Sequence, residues 1–186
     1  MIQGSDAQSG AYLLRIQVAE AVDIVFGRFL DGIPLMVPAG TFVYVGSAGG
    51  VQGSAALAHR LVRHATRRAA ALPHAIRECM LAAFCACRLG PPGLQAPSGK
   101  KLFWHVDYLL ESPAAALRHA FILRSALRIE SVLARRLARE PEVRALAKGL
   151  GAADTPGATH LLQVPDHVIW WGEWVERLGV GIKNEL

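Results

Sequence analysis

Tyr12, Leu14 and Ile16 alternate with their neighbours along residues 10–18, and this period of two predicts a β-strand. Residues 22–29 read as a second strand, joined to the first by Ala19-Glu20-Ala21, and residues 33–37 as a weaker third. Pro38-Ala39-Gly40 turns the chain into Thr41-Phe42-Val43-Tyr44-Val45, its most β-prone stretch, which Gly46-Ser47-Ala48-Gly49-Gly50 interrupts. From Ser54, read as an N-cap, the period becomes helical to about Arg68, with Leu57, Leu61 and Ala65 along one side. Pro73 opens a second helix ending near Gly90. Residues 91–99, with three prolines and two glycines, form a loop rather than a domain boundary. Residues 104–110 fit a strand or a short helix, with helix preferred. A strand over 120–125, an amphipathic helix over 129–140, a further turn or two of helix over 141–148 and a strand over 160–164 complete the pattern. Residues 168–178 carry three of the four tryptophans.

Strands and helices alternate without the regular βαβ period of a doubly wound sheet. The expectation is an α+β fold with a small, mainly antiparallel sheet flanked by helices. A chain of 186 residues suits one domain with a real core, and 52% hydrophobic against 19% charged residues excludes a disordered chain.

Charge sharpens the picture by its position. The net charge is +5 and the pI near 9.5, a mild pointer to an anionic partner. His59, Arg60, Arg63, His64, Arg67 and Arg68 crowd residues 58–70, with no acid among them. Cys79, Cys85 and Cys87 lie in an apolar stretch without zinc-ligand spacing and are expected to be buried, reduced thiols in a cytoplasmic protein. Residues 1–9 lack the basic start and apolar run of an export signal, and the uncharged run 32–58 is broken by Pro34, Pro38 and its glycines. No membrane partner is therefore expected.

Several residues could carry chemistry. A strand that ends in glycines before a helix can bring backbone N–H groups to an anion, although the sequence is neither a Walker loop nor GxGxxG, and a plain turn fits it too. Arg60, His64 and Arg67 recur at spacings of four and three. They would share one helix face that either binds phosphates, with Arg63, Gly46 and Ser47 beside it, or is simply solvated. Tyr12 and Tyr44 sit in strands that could be neighbours. An arginine or metal beside such a phenol would favour its phenolate, and core packing is the alternative. Glu130 in a first helical turn either complements the helix dipole or holds a cation such as Mg²⁺. Lys101, His105 and Asp107 could touch phosphate or orient another side chain. A Ser47–His64–Asp107 triad is disfavoured because Gly46-Ser47-Ala48 is no nucleophile elbow.

The order of these pieces is more specific than any one of them. Gly10-Ala11-Tyr12, Tyr44-Val45-Gly46, Arg60 and His64 on a helix, then Glu130, resembles the GIY-YIG nuclease superfamily. More narrowly the chain resembles its small DUF123, or Uri superfamily endonuclease-like, members. The likeness covers residues 10–164, including residues 38–48, Leu57–His64, Trp104-His105-Val106-Asp107-Tyr108-Leu109-Leu110, residues 151–154 and His160-Leu161. In that frame residues 69–99 are an insertion and 165–186 a tryptophan-rich tail to a single 1–186 domain. The resemblance implies a Mg²⁺- or Mn²⁺-dependent endonuclease acting on DNA. Tyr44 or Tyr12 would assist the attacking water, Arg60 would stabilise charge on the phosphate, His64 would stand near the scissile group, and Glu130 would hold the metal. The chain departs from that family in having Phe103 where a histidine is frequent, and Thr155 and Gly157 after Asp154 where two cysteines are frequent. A binding module that keeps the fold without catalysis, or an interaction domain using Trp170, Trp171 and Trp174, are the competing expectations.

Overall fold

The computed structural model describes residues 1–50, 52–69, 71–152 and 158–183, so Asp154, Thr155 and Gly157 lie outside the described residues. Its strands are β1 (Ile2–Gly4), β2 (Gly10–Val18), β3 (Val22–Ile24), β4 (Leu35–Val37), β5 (Gly40–Ala48), β6 (Ala115–Arg124), β7 (Arg144–Ala145) and β8 (Leu161–Val164). Its helices are α1 (Leu57–His64), α2 (Ile76–Ala86), α3 (His105–Glu111), α4 (Glu130–Ala138) and α5 (Val168–Lys183). Six strands form one sheet in the order β1-β6-β2-β5-β8-β7, and β3 pairs with β4 in a separate hairpin. The fold is α+β as expected. The sheet is mostly antiparallel but mixed, because β1 runs parallel to β6.

Alternation along the central strands serves two cores. One cluster joins Tyr12, Leu14, Ile16, Phe42 and Tyr44 to Leu57 and Leu61 of α1, Met80 and Phe84 of α2, and Val106 and Leu109 of α3. The other joins Ala11, Leu13, Val43, Val45 and Phe121 to Leu133 and Leu137 of α4 and to Trp170, Trp171 and Trp174 of α5. The sheet is thus covered on both faces, with successive side chains of one strand entering opposite layers. Each large apolar side chain buried in this way contributes about 1.5–3 kcal/mol.

Several local expectations are corrected by packing. The strand expected over 22–29 is limited to β3 and leaves the main sheet. Ser54 lies in a short 3-10 turn and is no N-cap, since α1 follows Ala56 and has no side-chain cap. Because α1 stops at His64, Arg67 lies beyond it and does not continue the Arg60–His64 face. The helix expected over 141–148 contains β7 instead, whose Arg144 and Ala145 pair with Gln163 and Leu162. Cys79 and Cys85 are exposed and Cys87 is half-buried, because α2 turns Met80 and Phe84 inward, one helical turn apart. Trp170, Trp171 and Trp174 are 7%, 8% and 2% exposed, which removes them as an interaction patch. The Trp174 indole N–H donates to Glu140 Oε1 at 3.0 Å. Among the described residues no helix is long and apolar enough to cross a membrane.

His74 ties this architecture together ahead of α2. Its Nδ1 accepts the Leu117 N–H at 3.1 Å, so the other nitrogen carries the proton and donates to the Leu110 carbonyl at 3.0 Å. Burial and the nearby Arg67 charge lower its pKa from 6.5 to about 4. The unfolded chain therefore takes up a proton below pH 6.5 that the folded chain refuses until about pH 4. Stability should fall across that window by about 3 kcal/mol on account of this residue. Denaturant unfolding at a series of pH values checks this: His74→Gln should flatten the decline between pH 6.5 and 4.

Candidate functional site

The antiparallel register of β2 and β5 sets Tyr12 opposite Gly46 and Leu14 opposite Tyr44. The two tyrosines are therefore diagonal neighbours on one face, with ring centroids 6.2 Å apart. A Cβ at Gly46 would stand 2.5 Å from Tyr12 Cζ, so only glycine leaves room for that ring. Gly46 is buried beneath the tyrosine; it seats Tyr12 and presents no surface to a substrate.

Behind the tyrosines runs a buried hydrogen-bonded chain. The Tyr12 hydroxyl lies 3.0 Å from His64 Nε2, and His64 Nδ1 lies 3.0 Å from Asp107 Oδ1. Arg63 Nη1 donates to Asp107 Oδ2 at 2.8 Å, the Phe103 and Trp104 N–H groups donate to the same oxygen at 3.1 Å, and Lys100 Nζ lies 3.8 Å from Oδ1. Burial opposes ionisation of Asp107, but hydrogen bonds from His64 and Arg63 and the Lys100 charge outweigh it and hold the carboxyl well below its ordinary range. An ionised carboxylate only accepts, which fixes the proton of His64 on Nδ1 and leaves Nε2 to accept from Tyr12. Burial lowers the His64 pKa even against the Asp107 contact, so the ring is neutral near pH 7. Two members of the disfavoured triad, His64 and Asp107, are thus joined, with Tyr12 in the place of Ser47.

Tyr44, Ser47, Arg60, Trp104, His105, Glu130 and His160, with Phe103, Gly151 and Ala152, line a cavity of about 120 Å³. Ser47 lies near the end of β5 and its hydroxyl donates to Glu130 Oε2, while Arg60 Nη1 donates to the Ser47 carbonyl. Arg60 Nε also donates to the Ser54 carbonyl at 2.8 Å, and its guanidinium lies 4.3 Å over the Trp104 ring. Glu130 opens α4 in the opposite layer and still reaches this cavity, because the site forms where the two helix layers meet at the sheet's end. Burial raises the cost of its charge, but His160, Ser47 and Arg60 prevail and keep its pKa below the usual glutamate value. His160 Nδ1 is 3.0 Å from Glu130 Oε1, and neither ring nitrogen of His160 finds a well-angled hydrogen bond. His105 accepts the Gly151 N–H on Nδ1 at 2.9 Å, which leaves its Nε2 as a donor.

Some expected site residues have other duties. Burial pushes both tyrosine pKa values up and outweighs Arg60, so neither is a standing phenolate, contrary to the effect expected from a neighbouring arginine. Arg63 is spent on Asp107 and the Lys101 carbonyl. Arg67 donates to the carbonyls of Leu110, Ser112 and Ala115 at 3.1, 3.1 and 2.6 Å. Asp107 is fully buried at 0% exposure and organises its neighbours from inside. Lys101 is exposed and does not line the cavity. The broad basic face expected of α1 thus narrows to Arg60, because its other charges hold the fold. Sequence reasoning missed His160, Trp104 and Phe103 as cavity residues; the first two lie inside the stretches that carried the family resemblance.

A divalent cation was expected at Glu130. Among the described residues no group of three or more His, Cys, Asp and Glu is arranged to hold a metal ion. The donors do suit a sparsely held, largely hydrated cation: one ionised carboxylate, the Ser47 hydroxyl and the His160 imidazole beside that carboxylate, around a cavity with room for water. Mg²⁺ and Mn²⁺ both suit the carboxylate, hydroxyl and water oxygens of such a site.

Asp107→Asn preserves shape but leaves the buried Arg63 without its countercharge and Lys100 with Glu111 alone. It should cost about 3–5 kcal/mol of unfolding free energy, read by chemical denaturation.

Comparison with curated proteins and with solved structures gives no match. The family described as "Domain of unknown function DUF123" matches residues 11–171, a span that contains every residue lining the cavity. The chain belongs to the DUF123 family.

Proposed function

We propose that this protein is a divalent-cation-dependent endonuclease that hydrolyses phosphodiester bonds in DNA in the cytoplasm. The observation that supports this reading is the shared cavity, onto which Tyr44, Ser47, Arg60, Glu130 and His160 open from separate stretches of the chain. Tyr44, Arg60 and Glu130 among them are residues to which the GIY-YIG resemblance assigns roles.

Arg60, its guanidinium 4.3 Å over the Trp104 ring, offers its charge to a phosphate and stabilises the charge that grows on it. Tyr44 lines the cavity and orients the attacking water through its hydroxyl. Tyr12 stands beside it as a protonated donor to His64 Nε2, and the His64–Asp107 pair fixes the direction of that hydrogen bond and so positions the Tyr12 ring next to Tyr44. Water adds to phosphorus and gives up a proton to the surrounding solvent as the P–O ester bond breaks, and the leaving oxygen takes up a proton from solvent water. Bound at Glu130, a divalent cation would supply Lewis-acid polarisation of a phosphoryl oxygen. His64 acts through Tyr12 rather than on the leaving group, since it is 0% exposed.

One observation favours a second reading, a nucleic-acid-binding module without turnover. Both tyrosines are held protonated by burial, and Glu130 is already engaged by Ser47.

Purified protein incubated with branched, nicked and plain DNA and Mg²⁺ or Mn²⁺ separates the two. Cleavage is expected, with Arg60→Ala and Glu130→Ala each slowing it roughly 10²- to 10³-fold. Absence of cutting on every substrate, or a Glu130→Ala protein as active as wild type, overturns the nuclease reading. Binding that falls steeply with salt and is never followed by cleavage supports the binding module.

A further inference from the structure

Phe103 is 75% exposed, the only aromatic among the exposed large apolar side chains of the described residues. A lone exposed apolar residue needs no explanation in itself. Phe103 differs because it is one of the residues lining the cavity and its backbone is tied down. Its N–H donates to the buried Asp107 carboxylate at 3.1 Å, and the Lys101 carbonyl two residues earlier accepts from Arg63. Lys100 is anchored to the Thr66 carbonyl at 2.8 Å and to Glu111 at 2.9 Å. The ring meets Trp104 edge-on at 5.1 Å, and Trp104 is itself flanked by the Arg60 and Arg63 guanidinium groups at 4.3 and 4.8 Å. An apolar ring is thus held out to solvent on a backbone that a buried ion pair makes rigid, with the exposed Lys101 nearby and Arg60 inside the cavity.

We propose that Phe103 is a stacking platform for a nucleobase, and that the nucleic acid entering this site carries an unpaired base next to the phosphate held by Arg60. The proposal rests on the nucleic-acid reading above and narrows it to single-stranded, frayed or branched substrates. Inside a duplex both faces of a base are covered by its neighbours, so a protein ring gains a face only where a base is unstacked. An aromatic platform beside cationic side chains is the arrangement that holds single strands with little regard to sequence. Preorganising the ring avoids the entropy of ordering it on binding.

The test is binding without catalysis: fluorescence anisotropy in chelator and constant salt, with a labelled single-stranded oligonucleotide and a blunt duplex of the same sequence. Wild type should bind the single strand more tightly. Phe103→Ala should weaken single-strand binding roughly 5- to 150-fold, equivalent to about 1–3 kcal/mol for one stacked base, and leave duplex binding within about twofold. Phe103→Trp should retain the preference. The ring is exposed, so an unchanged thermal melt is expected to show that each variant is folded. Equal affinity of wild type for both DNAs, or equal loss on both in Phe103→Ala, overturns the platform. If DNA is cleaved while Phe103→Ala binds like wild type, the platform falls and the nuclease reading stands; if neither DNA binds, the platform falls and the cleavage assay with Mg²⁺ or Mn²⁺ alone decides the nuclease reading.

Discussion

The buried Asp107 carboxylate is the constraint on which most of the site depends. It sits at 0% exposure and accepts from Arg63, His64 and the Phe103 and Trp104 N–H groups. A charge in such a place is tolerated only when it is fully partnered. Meeting that requirement joins α1 to the start of α3 and fixes the segment that carries Trp104. It also sets the His64 tautomer, which in turn decides that Tyr12 donates. One electrostatic demand thereby arranges a helix junction, an imidazole and a phenol.

This use of charge explains why the protein is basic without presenting a broad basic surface along α1. Arg63, Arg67 and Lys100 neutralise a carboxylate or cap carbonyl groups, functions that burial makes obligatory. Arg60 is the member of the cluster whose guanidinium lines the cavity, and it lies against Trp104 there. Each arginine's place follows from what the neighbouring elements leave unpaired: a helix end at Ser112, a loop carbonyl at Lys101, a strand carbonyl at Ser47.

The cavity itself is a product of layering. Ser47 points toward the α4 side of β5 and Tyr44 toward the α1 side, because successive strand residues face opposite ways. Only at the end of the sheet can groups from both layers approach one space, and there Glu130, His160 and Arg60 gather. The same layering buries the tryptophans of α5 and turns the cysteines of α2 to solvent, since α2 has enough apolar bulk in Met80 and Phe84 to cover its contact.

Local pattern determined a good part of this protein. The strands holding Tyr12 and Tyr44 were legible because their alternation and β-branched content are properties of short segments, and so were α3 and α4. The family resemblance grouped Tyr44, Arg60 and Glu130, and these three line one cavity. What no local pattern contains is partnership. Pairing with β8 draws residues 144 and 145 into a strand where propensity favours a helix. Arg63 and Arg67 look like surface charges until a carboxylate and three carbonyls from distant segments come within hydrogen-bonding reach. His160, thirty positions beyond Glu130, meets its carboxylate only because β8 lies beside β5. Sequence sets which groups the chain possesses and which short elements they ride on; tertiary structure decides which charges are spent inside and which remain to act, because desolvation and pairing depend on neighbours remote along the chain.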